Sequence, residues 1–316
     1  MKLWLFIQEK LNRQVPVMLL YVLESKGSSP GRQGFQMAVA ADGSLQGSIG
    51  GGIMEHKFVE MARAVLSNSS KASGMYRQVH DKSAAQQSGM ICSGEQTIFL
   101  YEVQADDKST IDVLLQSLQQ HQSGSLKISP AGMQFKKELP VQNYFFLQKS
   151  DTDFEFVEKT GFKNQLHIVG GGHCALALSR LMSGLDFYIS MYEEREGLNT
   201  VEQNTFVHQT LMLQSYAELA DFVQPGANVY VVIMTFGYRT DDIALRALLQ
   251  KDFKYLGVMG SQKKMGKMFE AYQQEGLYPE RLNNIHTPIG IPIRSQTPEE
   301  IAVSIAAQII AVKNGA

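Results

Sequence analysis

Cysteine is almost missing from this chain of 316 residues, which carries it only at Cys92 and Cys174. Two are too few for a disulfide framework, and their separation matches no metal-ligand spacing. An excess of one charge sign is missing too. Lys plus Arg is 29 against 31 acidic residues, a net charge of −2. Bulk electrostatics therefore give no basis for binding nucleic acid or an acidic membrane, and any anionic partner must be held locally. No run of about 18 apolar residues occurs, so no membrane-spanning helix is expected. The opening MKLWLFIQEKLNRQ is soon interrupted by Gln, Glu and Lys and offers no small-residue cleavage site. It reads as an amphipathic helix rather than a signal peptide, and a reducing cytoplasm is the expected setting. There is no His-Cys cluster for zinc, no nucleophile elbow, no phosphate-binding loop ending in Gly-Lys-Ser or Gly-Lys-Thr, and no internal repeat.

What the chain does have is glycine in clusters. Residues 27–55, GSSPGRQGFQMAVAADGSLQGSIGGGIME, hold eight of the 27 glycines, four serines and Arg32. Glycine is costly to order and is favoured where backbone comes close to something or takes positive φ. Gly27-Ser28-Ser29-Pro30-Gly31 and Gly47-Ser48-Ile49-Gly50-Gly51-Gly52 therefore read either as two hairpin turns or as two loops whose amides and hydroxyls face a polar ligand. Their repetition, and the helix after the second, favour the ligand.

The elements around them follow from periodicity. Residues 2 to 12 suit a helix, and Val15 to Leu23 is a strand too uniformly apolar for an exposed edge. Phe35 to Ala40 and Leu45 to Ile49 flank an Asp-Gly turn and make a hairpin. A helix is expected from Ile53 to Leu66, strands at Met75 to His80 and Gln96 to Val103, and a helix from Thr110 to His121. At Gln165 the pattern changes to strand, Gly170-Gly171-Gly172 turn, helix, strand at Ile189 to Tyr192, and then Glu193. Gly170-x-Gly172-x-x-Ala175 with an acid 21 residues beyond Gly172 is the order of a dinucleotide fold, alanine replacing the last glycine. Further strands at Asn228 to Met234 and Tyr255 to Met259 alternate with helices, as in a parallel sheet. The expected fold is α/β: a mixed α/β domain with Gly-Ser loops at 1–105, a connecting region at 106–162, and a Rossmann-like parallel-sheet domain at 163–316.

Several residues carry both a chemical and an ordinary reading. Amides of the 170–172 turn favour a phosphate at a helix start. His173 beside it reaches a ligand or serves the structure. Gly260-Ser261 with Lys263 or Lys264 binds an anion or is a solvated helix start. Asp241 or Asp242 caps the following helix. Glu55 stabilises a helix start or closes the second Gly-Ser loop over a ligand. Cys92, in a glycine-containing loop, is a thiolate ligand or sulfur acceptor, or else inert. Cys174 packs helix against sheet.

Taken together, Gly27-Ser28-Ser29-Pro30-Gly31-Arg32, Met37, Gly47-Ser48-Ile49-Gly50-Gly51-Gly52 with Glu55, and Cys92-Ser93-Gly94 resemble the xanthine dehydrogenase accessory proteins and their carbon-monoxide dehydrogenase accessory relatives. In the second half the resemblance extends to Gly170-Gly171-Gly172-His173, Gly257 with Gly260-Ser261, Pro288-Ile289-Gly290, and the run from Thr297 to Ile305. It implies a protein that binds molybdenum cofactor (molybdopterin), protects it during sulfuration and delivers it to a molybdenum hydroxylase such as xanthine dehydrogenase, a role that requires no turnover. Ser28, Ser29, Gly31, Arg32, Ser48, Gly50, Gly51, Gly52, Glu55 and Cys92 would hold the cofactor, Cys92 touching the molybdenum. Gly170, Gly172, His173, Glu193, Gly260 and Ser261 would hold a nucleotide such as NAD(P), or the cofactor's phosphate end. The resemblance also allows a cysteine desulfurase as partner and, with the apolar strand Val17 to Leu23, a homodimer. The chain departs from the family pattern at Ser93, where glycine is common, at Ile53, where some members have cysteine, and at Phe236, where histidine is expected. An NAD(P)-dependent oxidoreductase of a small substrate is the competing reading, Glu193 favouring NAD over NADP because an acid repels a 2′-phosphate. A purely interaction-based chaperone is a third.

Overall fold

A computed structural model describes residues 1–68, 74–80, 94–276 and 279–315, which divide into two units, Met1–Gly161 and Phe162–Ala316. The first is built on β1 (Val17–Gly27), preceded by α1 (Lys2–Asn12) and followed by β2 (Gln36–Ala40), β3 (Leu45–Gly47), α2 (Gly52–Asn68), β4 (Gly74–His80) and β5 (Gly94–Glu102). The strands form an antiparallel sheet in the order β3-β2-β1-β5-β4, with β1 at its centre. Alternation along β1 sends Met18, Leu20 and Val22 toward Phe58 and Ala62 of α2, and Val17, Leu19, Tyr21 and Leu23 into the core on the other face. A strand buried on both faces needs apolar residues at every position, so Val17 to Leu23 is consumed by the chain's own core. It leaves no surface for the dimer contact that the sequence suggested there.

Of the stretch 106–162, expected as a connecting region that partly belongs to the first domain, residues 106–161 fold into the first unit. It holds α3 (Asp107–Gln119) and the strands β6 (Gly124–Ser129), β7 (Gly132–Lys136), β8 (Tyr144–Ser150) and β9 (Asp153–Thr160), an antiparallel sheet in the order β7-β6-β9-β8. Leu126, Ile128, Phe154 and Phe156 point into the core shared with β1, and Lys127 pairs with Glu155 on the other face. Phe154 meets Phe99 edge-on at 4.9 Å and Phe156 meets Tyr21 at 5.3 Å. Half-exposed strands with charged outer faces give weak sequence signals, which is why this sheet reads as disconnected pieces.

The second unit runs β10 (Asn164–Val169), α4 (His173–Met182), β11 (Phe187–Glu193), α5 (Asn199–Glu202), β12 (Gln209–Met212), α6 (Leu219–Phe222), β13 (Gly226–Ile233), α7 (Tyr238–Leu248), β14 (Phe253–Val258), α8 (Gln262–Gln274), α9 (Pro279–Leu282) and α10 (Pro298–Asn314). Its sheet is parallel, in the order β12-β11-β10-β13-β14. The unit is a Rossmann-like domain. Strand order reverses between β10 and β13, the place where open α/β sheets offer a crevice at their carboxyl edge. One face packs α4 and α10 through Ala175, Leu178, Ala302 and Ile305, and the other packs α6, α7 and α8. Cys174 lies partly buried against the first of these cores, and burial, with Glu299 nearby, raises its thiol pKa. Thr297 caps α10 in a capping box with Glu300, with Pro298 in the first turn. Among the described residues, no helix is long and apolar enough to cross a membrane.

Leu19 is fully buried at the centre of the first unit. Leu19→Ala is expected to cost about 2–5 kcal/mol, read as a lower urea midpoint.

Candidate functional site

The two Gly-Ser loops of the first unit are held against each other by a side chain from β5. Gln96 is fully buried, and its Nε2 donates to the carbonyl of Gly31 in the first loop at 2.8 Å and to that of Ile49 in the second at 3.3 Å. Contact is close enough to require glycine. A Cβ on Gly31 would lie 2.0 Å from the Ile49 carbonyl oxygen, and one on Gly50 would lie 2.4 Å from the Gly31 nitrogen. Gly94 is constrained in the same way, 2.5 Å from the Ser29 nitrogen, and Ser29 Oγ donates to the Gly31 carbonyl at 2.9 Å.

Glu55 shapes the second loop from inside. Its Oε2 accepts from Ser48 Oγ at 2.6 Å, Ile49 N at 2.9 Å and Gly51 N at 3.0 Å. Burial acts to raise its pKa, but these donors outweigh it and hold the carboxyl below its ordinary value. Ser29, Gly31, Gly50 and Glu55 thus make the frame, while Ser28, Arg32, Ser48 and Gly52 are exposed on its outside. Arg32 Nη1 donates to the Gly27 carbonyl at 3.1 Å. Gly51, at φ +75°, has nothing within 4 Å of where a Cβ would stand, so that side of it is open, while its N–H is bonded to Glu55. Cys92 and Ser93 lie outside the described residues.

Sequence reading missed Gln96, although a signal existed. It shares the buried phase of β5 with Ile98 and Leu100, an unusual place for an amide. Its Oε1 is buried and has no hydrogen-bond partner among the described residues.

In the second unit, Gly170 takes φ +104°, and a Cβ there would meet the Met234 carbonyl oxygen at 2.5 Å, so the turn passes tightly against the end of β13. Ala175 is fully buried between α4 and the sheet. Glu193, expected to read a ribose, is instead fully buried and bonded within the chain. Oε2 accepts from Gly171 N at 2.7 Å and Arg195 Nη2 at 2.8 Å. Oε1 accepts from Glu194 N, Arg195 N, Arg195 Nε and Tyr216 Oη at 2.9–3.0 Å. Burial works to raise its pKa, but the bonds from Arg195, Gly171 and Tyr216 hold it at about 2. Gly172 is only partly exposed but has open space around it.

Other candidates separate from this turn or serve locally. His173 is exposed at the start of α4 and lines a groove of about 620 Å³ between α4 and α10 with Leu181, Phe206 and Val303. Ser261 caps α8, its Oγ accepting from Lys264 N at 3.3 Å, and Gly260 packs beside Met265. Asp241, buried, accepts from Thr235 N at 3.0 Å and pairs with Lys264, tying the loop after β13 to the start of α8. Asp242 pairs with Arg246 one turn on. His167 on β10 shares a 2.9 Å hydrogen bond with Tyr192 Oη, and burial pushes its pKa down to about 4.

Residues 166–309 match the family model described as the XdhC Rossmann domain, and residues 11–77 match that of the XdhC and CoxI family. An Escherichia coli (strain K12) protein named uncharacterized protein YqeB is 24% identical over 311 residues, 97% of this chain and 46% of that protein. A Bacillus subtilis (strain 168) protein named as a probable xanthine dehydrogenase subunit is 25% identical over 157 residues, 49% of this chain and 44% of that protein. The chain spans a little under half the length of these relatives. Among solved structures, a Bacillus halodurans chain described as a xanthine dehydrogenase shares the fold, with TM-score 0.71 and 23% identity over 99% of this chain and 96% of that one.

Gln96→Leu takes the side-chain donor from the Ile49 carbonyl and leaves the Gly31 carbonyl with Ser29 Oγ alone, and we expect it to lower the stability of the first unit by roughly 1–3 kcal/mol in denaturant melts. Glu193 has a folded pKa of about 2 against an ordinary 4.5. Its contribution to stability is full above the ordinary value and is lost as pH falls through the folded one. Glu193→Gln should therefore flatten the wild-type loss of stability across that window in acid titrations.

Proposed function

Because the chain belongs to the XdhC and CoxI family, we propose that it binds molybdenum cofactor, protects it during sulfuration and delivers it to a molybdenum hydroxylase of the xanthine dehydrogenase kind. The observation that carries this reading is the pair of Gly-Ser loops joined through Gln96, with hydroxyls, a guanidinium and bare backbone on their outer side. The name of the Bacillus subtilis relative supports the choice of target enzyme.

The residues fit a pterin that carries a phosphate. Such a ligand needs donors and close backbone approach more than it needs a general base. Gly51 leaves open space on the side where a Cβ would stand, which permits close approach, and Gly52 opens α2, a 17-residue helix whose amino end favours an anion. Arg32 supplies a charge-assisted donor and Ser28 a hydroxyl, while the Ser48 hydroxyl joins Glu55 and Gly50 within the loop. Glu55 and Gln96 act through the loops, fixing their shape before a ligand arrives, which reduces the ordering cost of binding. When bound, the cofactor carries the molybdenum on which the target enzyme's hydroxylation depends. Cys92 is assigned the thiolate that meets the metal end, and Gly94, two residues on, packs against Ser29 of the first loop. A homodimer and docking of a cysteine desulfurase belong to the same proposal.

The test is the chain purified from a host that makes molybdenum cofactor, with metal analysis for molybdenum and mass spectrometry for the pterin. Both are expected in the wild-type protein, and less of both in Cys92→Ala. A wild-type chain carrying neither would sink the proposal, and equal loading of the two would remove Cys92 from the site.

A further inference from the structure

The turn after β10 has the spacing of a dinucleotide site, but the groups that such a site presents to a nucleotide are used inside the protein. In this fold the acid closing the second strand accepts from ribose hydroxyls, while amides at the glycine turn hold the pyrophosphate. A carboxylate offers about four lone-pair sites. Glu193, with no exposed surface, already faces protein donors from Gly171, Glu194, Arg195 and Tyr216 on both oxygens.

Neighbouring atoms close the same space. Val201 Cγ2 lies 2.4 Å from where a Cβ on Gly171 would be, so the room that this glycine leaves is filled by α5. Thr200 Oγ1 donates to the Gly171 carbonyl at 2.5 Å, fixing the turn from the same element. Arg195, bonded to the carboxylate, is the member of the pair that reaches solvent, and its guanidinium carbon sits 4.7 Å from the ring centre of Phe236. That ring is 62% exposed.

We infer that Glu193 is an internal latch joining the glycine turn to the end of β11, and that the turn takes no NADH in the ribose-reading mode its spacing announces. What the end of β11 turns outward is a cation lying on an aromatic plane. The basis for the selectivity expected from the sequence is removed, since the acid that would repel a 2′-phosphate is covered by a guanidinium. None of this rests on the reading of the first unit. A chain that failed to hold molybdenum cofactor would leave it unchanged.

Titration of the full chain with NADH, followed by nicotinamide fluorescence, is expected to give no saturable change up to millimolar concentrations. Hydrogen exchange provides the second measurement. Glu193→Gln removes the charge from bonds of the kind that strengthen charged acceptors, so exchange at the amides of Gly171, Glu194 and Arg195 should rise at least about tenfold while that of β1 is unchanged. Saturable NADH binding by the wild-type chain overturns the inference, and its loss in Glu193→Gln would return the ribose-reading role to the carboxylate. Unchanged exchange at the three amides would remove the latch.

Discussion

The shape of the first unit's candidate site depends on one buried amide. Gln96 donates to a carbonyl in each Gly-Ser loop, and everything else there follows from the contact it fixes. Gly31 and Gly50 must be glycine because the loops touch, Ser29 turns inward to the Gly31 carbonyl, and Ser28 and Arg32 are exposed. Buried polar groups are costly unless they are paired. Using one amide to satisfy two loop carbonyls therefore sets the spacing of the loops as firmly as a packed side chain would.

A common device runs through both units. One glycine-rich loop in each unit has an acid bonded into it: Glu55 in the second Gly-Ser loop and Glu193 in the turn after β10. The consequences differ because burial differs. Glu55 is partly exposed and leaves the outer side of its loop open, with free space where a Cβ on Gly51 would stand. Glu193 is sealed, with Val201 and Thr200 packed over the adjoining glycine. A preorganised surface results in the first case and a closed turn in the second.

Much of the fold was legible in the sequence. The unbroken apolar run of β1, the Asp-Gly hairpin, the strand-turn-helix order from β10 and the cap of α10 each follow from local chemistry, and local chemistry is what a sequence states directly. The parts that were not legible depend on distant partners. Spacing put an acid at Glu193 correctly but could not say that Arg195 and Tyr216 would satisfy it. Gln96 is 65 positions from Gly31, and only the fold makes them neighbours. The β6–β9 sheet was obscured because one of its faces is polar, and Val17 to Leu23 suggested an interface because burial by a partner and burial by one's own core leave the same apolar signature.

Hydrogen-exchange mass spectrometry of the chain with and without bound molybdenum cofactor tests the central claim most directly. Loading should slow exchange in residues 27–34 and 48–55 and leave residues 170–172 and 193–195 unchanged. Protection confined to the turn of the second unit, with the Gly-Ser loops unaffected, would contradict the account.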